Sequence, residues 1–312
     1  MYIKMKYFNI RKDILATLAY FNMFDYPLKK NEIFLFLGHC NDYREFEQAL
    51  TNLLKDSAVY KMADFYSLQN DFKLAIRRLR GNEKAIAMLK KAEKAAAIIY
   101  GFPFVSGVAV SGSLSKYFAD EESDIDFFII TQANRLWIAR TLLHIFKKLT
   151  FIVRRQGHFC MNYFIDEKDP AIMEKNIYTA MEVVTVMPLR DNGAFDRFFR
   201  ANSWASVFFP NKYLYTPTVK KTGGSWIKSL TEKLLKNRFG DLLDNFLMKQ
   251  TARSWNAKTQ SNKKDNKGML LSMFVAKHVS KPNPEIFQKK ILESYENSLS
   301  EIFKRCELSV AK

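Results

Sequence analysis

SGSLSKYFADEESDIDFFIIT, Ser111 to Thr131, sets a small-residue turn, a polar loop and two aspartates one residue apart against a run of aromatic and β-branched residues. The segment before it, VSGVAV from Val105 to Val110, reads as a strand that empties into Ser111-Gly112-Ser113. That turn has little side-chain bulk, so its backbone amides and hydroxyls are open to a phosphate. Ser123 to Ile130 reads as the next strand, and alternation along it puts Asp124 and Asp126 on one face and Ile125 and Phe127 on the other. Two carboxylates about 7 Å apart on one face repel unless cations lie between them. Mg²⁺ (or Mn²⁺) meets that need, because it is typically held by one or two carboxylates together with substrate phosphates.

On the N-terminal side, Asp71 to Tyr100 is an almost unbroken run of good helix formers, interrupted by Gly81 and stopped at Gly101-Phe102-Pro103. Before it come three shorter helical patterns. Ile14, Leu15, Leu18, Ala19 and Phe21 form a stripe in the first, Lys29 to Leu37 makes the second, and Phe46, Leu50, Leu53 and Leu54 line the third. Asp42 is placed to cap the third, with Glu45 at the capping-box spacing. Val59 to Leu68 then alternates as two short strands around Met62-Ala63-Asp64. Three short helices and a hairpin make a winged-helix pattern. Used on DNA it would expose Arg44, Gln48, Asn52 and Lys55, although Glu45 and Glu47 on the same helix oppose phosphate; packing or protein contact suits it better.

On the C-terminal side, Trp226 to Phe246, Met269 to Val279 and Pro284 to Ile302 carry helical stripes, separated by loops near Ser261 to Gly268 and Ser280 to Asn283. The formal net charge is +17, and much of the excess lies beyond Val219. A strongly basic chain admits an anionic partner, nucleic acid included, as readily as a merely solvated basic face. The three cysteines, Cys40, Cys160 and Cys306, are widely spaced and lack CxxC or Cys/His ligand spacing, so reduced core thiols are expected in place of disulfides or zinc. No apolar run has the ~18 residues that span a bilayer, and Met1 to Tyr20 lacks a signal-peptide core, so a cytoplasmic protein is expected.

Gly112-Ser113, ten intervening residues and then Asp124-Ile125-Asp126 resembles the signature of the DNA polymerase β superfamily of nucleotidyltransferases, most closely its bacterial minimal and stand-alone members. FNMFDYPL at Phe21 to Leu28, RLWIAR at Arg135 to Arg140, CMNYFI at Cys160 to Ile165 and YTAMEV at Tyr178 to Val183 resemble blocks of a bacterial group that joins a winged helix to such a domain. The resemblance implies a nucleoside triphosphate held at Ser111, Gly112 and Ser113, with Lys116 and Ser123 close to the phosphates. It also implies metal ions on Asp124 and Asp126, and a helical region across the cleft that selects the acceptor.

One position departs from that pattern. The superfamily carries a third carboxylate on a later strand, and alternation in HFCMNYFID, His158 to Asp166, puts Asn162 there. An amide is a weak ligand and a poor base. Asp166 at the strand end and Glu182 on the following helix are the candidate substitutes. The expectation is an α+β chain: a winged helix over 1–70, a connecting helix over 71–100, a mixed-sheet nucleotidyltransferase domain over 101–212 and a basic helical domain over 213–312. Its expected activity is Mg²⁺-dependent transfer of a nucleoside monophosphate to an acceptor, RNA, DNA or a phosphorylated small molecule among them. The alternative is a DNA-binding regulator whose degenerate domain senses a nucleotide.

Overall fold

A computed structural model describes residues 10–39, 42–152, 159–214, 226–261, 273–282 and 285–310. The first described elements are α1 (Ile10–Asn22), β1 (Leu28–Lys29), α2 (Lys30–Leu35), α3 (Tyr43–Lys55), β2 (Tyr60–Met62) and β3 (Phe65–Ser67), the last two forming an antiparallel hairpin to which β1 adds a third strand. Asp42 caps α3 by accepting from the amides of Arg44 and Glu45. The reciprocal carboxylate of a capping box is supplied at α2, where Glu32 accepts from the Lys29 amide at 2.8 Å.

The long helix α4 (Phe72–Tyr100) starts at the Asp71 cap and tolerates Gly81 for a packing reason. A β-carbon at Gly81 would lie 2.3 Å from the Phe118 ring, so only glycine admits that ring against the helix. Arg78, 2% exposed, ties α4 to the N-terminal unit. Its guanidinium lies 3.8 Å from the Tyr26 ring centroid, pairs with Glu32 at 2.8 Å and donates to the Pro27 carbonyl at 2.8 Å. A buried guanidinium with this many partners fixes geometry more than it adds net stability.

The central mixed sheet is built from β4 (Val105–Val110), β5 (Ile125–Thr131), β6 (Phe159–Asp166), β7 (Met187–Asp191), β8 (Met273–Val275) and β9 (Val279–Pro282), in the order β7-β4-β5-β6-β9-β8. Among the described strands of this sheet only β5 and β6 run parallel, joined through α5 (Leu136–Ile152); the other described neighbours are antiparallel. The sheet is covered on both faces. Ile125, Phe127 and Ile129 join α4 and α5 in one core, while Phe128 and Ile130 join α6 (Ile177–Thr185), α7 (Ala194–Ala201) and the N-terminal helices in the other. This two-sided burial explains why Phe127 to Ile130 is continuously apolar.

The C-terminal stretch departs from the helical reading. Trp226 to Phe246 is two helices, α8 (Trp226–Leu235) and α9 (Arg238–Gln260), parted where Asn237 caps the second through the Gly240 amide at 3.0 Å. Met273 to Pro282 is a pair of strands in place of a helix, and β9 bonds the edge of β6 through Phe164–Ser280 and Ile165–Val279 pairing. Tertiary pairing with an open sheet edge overrides the local helical period there. Helix α10 (Glu285–Val310) follows and packs Tyr295 against Tyr20 of α1, ring centroids 5.7 Å apart. Among the described residues no helix is long and apolar enough to cross a membrane.

Candidate functional site

The turn after β4 lies beside the start of β5 because the two strands are antiparallel, with Val110 opposite Phe127 and the Ser111 amide bonded to the Asp126 carbonyl at 2.9 Å. Gly112 adopts φ +68°, a conformation that favours glycine, and a β-carbon built there would lie 3.2 Å from Asp126 Oδ2. The glycine therefore does two things at once: it turns the chain and it admits the Asp126 carboxylate against the turn. Ser113 is exposed and begins a 3-10 turn, Leu114–Lys116. Ser115 closes that turn by donating to the Gly112 carbonyl at 2.8 Å.

Asp124 precedes β5 and does not lie within it; the carboxylate is exposed, with the Cys160 thiol 3.8 Å away. Cys160, expected in the core, is half-buried at the site and directly across from Asp126 in the β5–β6 pairing. Cys40 and the Cys306 side chain lie outside the described residues. Ser123, expected near the phosphates, instead closes the preceding loop: its hydroxyl donates to Asp120 Oδ1 at 2.7 Å and accepts from the Asp120 amide at 2.8 Å. Lys116 does reach the turn, donating to the Gly112 carbonyl at 3.0 Å and to Glu182 Oε1 at 2.7 Å.

Asn162 falls at an irregularity. Phe127 pairs with Met161 and Phe128 with Tyr163, so Asn162 is the extra residue of a bulge and strict alternation does not carry through it. Its side chain lies outside the described residues. Asp166 is excluded as a substitute ligand. It sits at the far end of β6 from Asp126, is 0% exposed, and is held by the Asn134 amide at 2.7 Å, the Lys168 amide at 2.7 Å and His278 Nδ1 at 2.8 Å.

Glu182, the other candidate, does reach the turn. Helix α6, capped at Asn176, brings its carboxylate to the Gly112 amide at 3.3 Å as well as to Lys116. Tyr178, one turn earlier on α6, has its hydroxyl pKa raised by burial and then by the negative charges of Glu182 and Asp126. The arrangement is thus an amide and a lysine already engaged by an internal carboxylate, with a second carboxylate alongside. Among the described residues no three His, Cys, Asp or Glu side chains are grouped to hold a metal ion.

Next to this turn a cavity of about 270 Å³ runs between the sheet, α6 and the start of α10. Asp126, Gly112 and Glu182 line it together with Phe128, Tyr163 and Phe198. The N-terminal unit also reaches the turn, because the Tyr26 hydroxyl donates to the Lys116 carbonyl.

Arg135 and Arg140 of the RLWIAR block are both 6% exposed and face away from this site. Arg135 clasps the α8–α9 junction, pairing with Asp241 at 2.5 Å and donating to the Leu235 carbonyl at 2.9 Å. Asp244 of α9 accepts from the Ile138 amide at 2.9 Å, near the start of α5, and burial pushes its pKa up to about 6. No protein-family model, curated protein or solved structure matches this chain.

Proposed function

We propose that the chain is a nucleotidyltransferase that moves a nucleoside monophosphate from a nucleoside triphosphate to an acceptor hydroxyl, with Mg²⁺ or Mn²⁺ as cofactor. The carrying observation is the shared wall of the Gly112 turn and the Asp126 carboxylate, built by a glycine that nothing larger can replace without meeting that carboxylate. The donor set fits a hard cation: Asp124 and Asp126 are two residues apart at one strand end, and such an ion takes its remaining oxygens from phosphate and water. When bound it would supply charge neutralisation at the transferring phosphate.

The chain's own groups divide the remaining work. The Gly112 amide and Lys116 offer one donor pair to a phosphate, on condition that Glu182 leaves them. Released, Glu182 is a carboxylate in the cavity wall, able to take a proton from the acceptor. The N-terminal unit is read as a winged helix that braces the turn through Tyr26.

Incubation of the full chain with each labelled nucleoside triphosphate, Mg²⁺ or Mn²⁺ and a cell extract tests the activity; label should pass to an acceptor. Asp124→Asn with Asp126→Asn should remove cation-dependent nucleotide binding and leave folding intact. Unchanged nucleotide affinity in that double variant overturns the two-carboxylate reading. The occupation of the turn by Glu182 favours a second reading, a nucleotide-sensing regulator with no transfer step. It predicts cation-dependent nucleotide binding with no label moved to any acceptor.

A further inference from the structure

Helix α8 turns charged groups inward and apolar ones outward, the reverse of an ordinary surface helix. The Lys228 ammonium donates to the Tyr100 and Val105 carbonyls, both at 2.7 Å, and Glu232 accepts from the Phe104 amide at 2.8 Å. The opposite side carries Trp226, Ile227, Leu230 and Leu234, all exposed, Trp226 by 74% and Leu234 by 63%. Helix α9 keeps Leu243, Leu247 and Met248 against one core of the sheet and sets a second row outward. Phe239, Leu242, Phe246, Lys249 and Arg253 follow at i, i+3, i+7, i+10 and i+14, one line on the solvent side that is apolar at its start and basic at its end.

Single exposed apolar side chains are ordinary, but rows of them on two consecutive helices mark an interaction face. The charges beside these rows are of one sign. Each acidic side chain of α8 and α9 is engaged by the body of the protein: Glu232 by the Phe104 amide, Asp241 by Arg135 at 2.5 Å and Asp244 by the Ile138 amide at 2.9 Å. Lys233, Lys236, Arg238, Lys249 and Arg253 are exposed. Two copies of the chain laid face to face would bring these bases together, which opposes self-association through this face. A surface of negative charge over an apolar interior complements both the rows and their rim.

We infer that the outer face of α8 and α9 docks the protein on an anionic lipid bilayer, with the helices lying along the interface. Trp226, Leu230, Phe239 and Phe246 enter the boundary between headgroups and acyl chains, where Trp and Phe side chains settle, and Lys233, Lys249 and Arg253 meet acidic headgroups. This is attachment to one leaflet: α8 has 10 residues, and no described helix is long and apolar enough to cross a membrane. The inference is independent of the nucleotidyltransferase reading and goes beyond it, placing the protein at a surface whatever reaction it performs.

The test is cosedimentation of the purified full chain with vesicles of phosphatidylcholine alone and of phosphatidylcholine with an equal part of phosphatidylglycerol. The chain should pellet with the anionic vesicles and be released as salt rises. Trp226 emission, read as the difference between wild type and Trp226→Phe, should shift to the blue and be quenched by lipid brominated on its acyl chains. Phe239→Ser with Phe246→Ser should weaken vesicle binding by about tenfold for each side chain. Both side chains are exposed, so the urea midpoint should stay where it is. Lys249→Gln with Arg253→Gln should cost about fivefold for each charge. Arg44→Ala with Lys55→Ala, which removes two exposed bases from α3, should cost nothing. Failure to bind the anionic vesicles overturns the inference. So does an equal loss in the α3 and α9 charge variants, the mark of a basic protein adsorbing through any surface. Unquenched Trp226 in the bound chain also overturns it. So does a wild-type dimer in sedimentation velocity that the Phe239→Ser, Phe246→Ser chain cannot form, because a second copy would then cover the face.

Discussion

Replacing Glu182 with glutamine tests the central claim about the turn, that a carboxylate of the chain occupies the seat of a phosphate. In the folded chain Glu182 accepts from Lys116 at 2.7 Å and from the Gly112 amide at 3.3 Å, and the Lys116 and Glu182 side chains are 16% and 29% exposed. A triphosphate must break both bonds before it can use the same donors. Hydrogen bonds to a charged group contribute about 1.5–3 kcal/mol and neutral ones about 0.5–1.5. Glutamine keeps the shape and removes the charge, so the competition weakens by roughly 1–2 kcal/mol, or about 5- to 30-fold in nucleotide Kd. Calorimetric titration of the purified full chain with a nucleoside triphosphate and Mg²⁺ reads this directly. Turnover should move in the opposite direction, falling by about 10²- to 10⁴-fold, because the same substitution removes the proton acceptor. An E182Q chain that binds nucleotide no tighter than wild type refutes the reasoning: Glu182 would then be a structural partner of Lys116 and the phosphates would bind elsewhere.

Three other outcomes follow from the geometry. Gly112→Ala combines a φ of +68° with a contact at 3.2 Å to Asp126, so urea unfolding should show a loss of about 1–3 kcal/mol together with weakened cation binding. Asp244 has its pKa raised to about 6 by burial, so the native state holds its proton more tightly than the unfolded chain does; the stabilisation is full below the unfolded value near 3.8 and is lost as pH rises through about 6. Asp244→Asn should flatten that part of the stability–pH curve by up to roughly 3 kcal/mol, measured as the difference between the two chains. Arg44 and Lys55 are exposed on α3, and if this helix meets duplex DNA their change to alanine should lower the slope of log K against log salt by about 0.9 for each phosphate no longer neutralised; no duplex binding by the unaltered chain at low salt leaves the unit a packing module.

Local signals carry far in this chain where local physics decides. Asp71 caps α4 and Gly101 ends it because capping and helix propensity act within a few residues. The hairpin around Ala63 is legible from alternation, and Ala63 itself takes a positive φ of 54° at the turn. The Gly112 turn and the two aspartates are readable as a pair, since an antiparallel return brings adjacent strand ends together. Asp166 misleads because the direction of β6 is a property of the crossover through α5, and a parallel strand puts its last residue at the end of the sheet opposite the first residues of β5. Met273 to Pro282 misleads for a related reason: a short apolar segment carries too few turns to fix its own period, and the edge of β6 chooses for it.

The pairing of β9 onto β6 has a consequence for how the chain is made. Until Val279 and Ser280 leave the ribosome, the edge of β6 at Phe164 and Ile165 has no strand beside it, and Trp137 lacks the Ala276 carbonyl that receives its indole N–H at 3.2 Å. Translation at roughly 5–20 residues per second leaves that apolar edge bare for on the order of ten seconds, a template for pairing with other nascent chains. The strand that finishes the sheet is synthesised long after the one it covers. Release of a chain truncated before residue 282 should therefore give aggregation, with chaperone dependence rising as the stop moves upstream through β9.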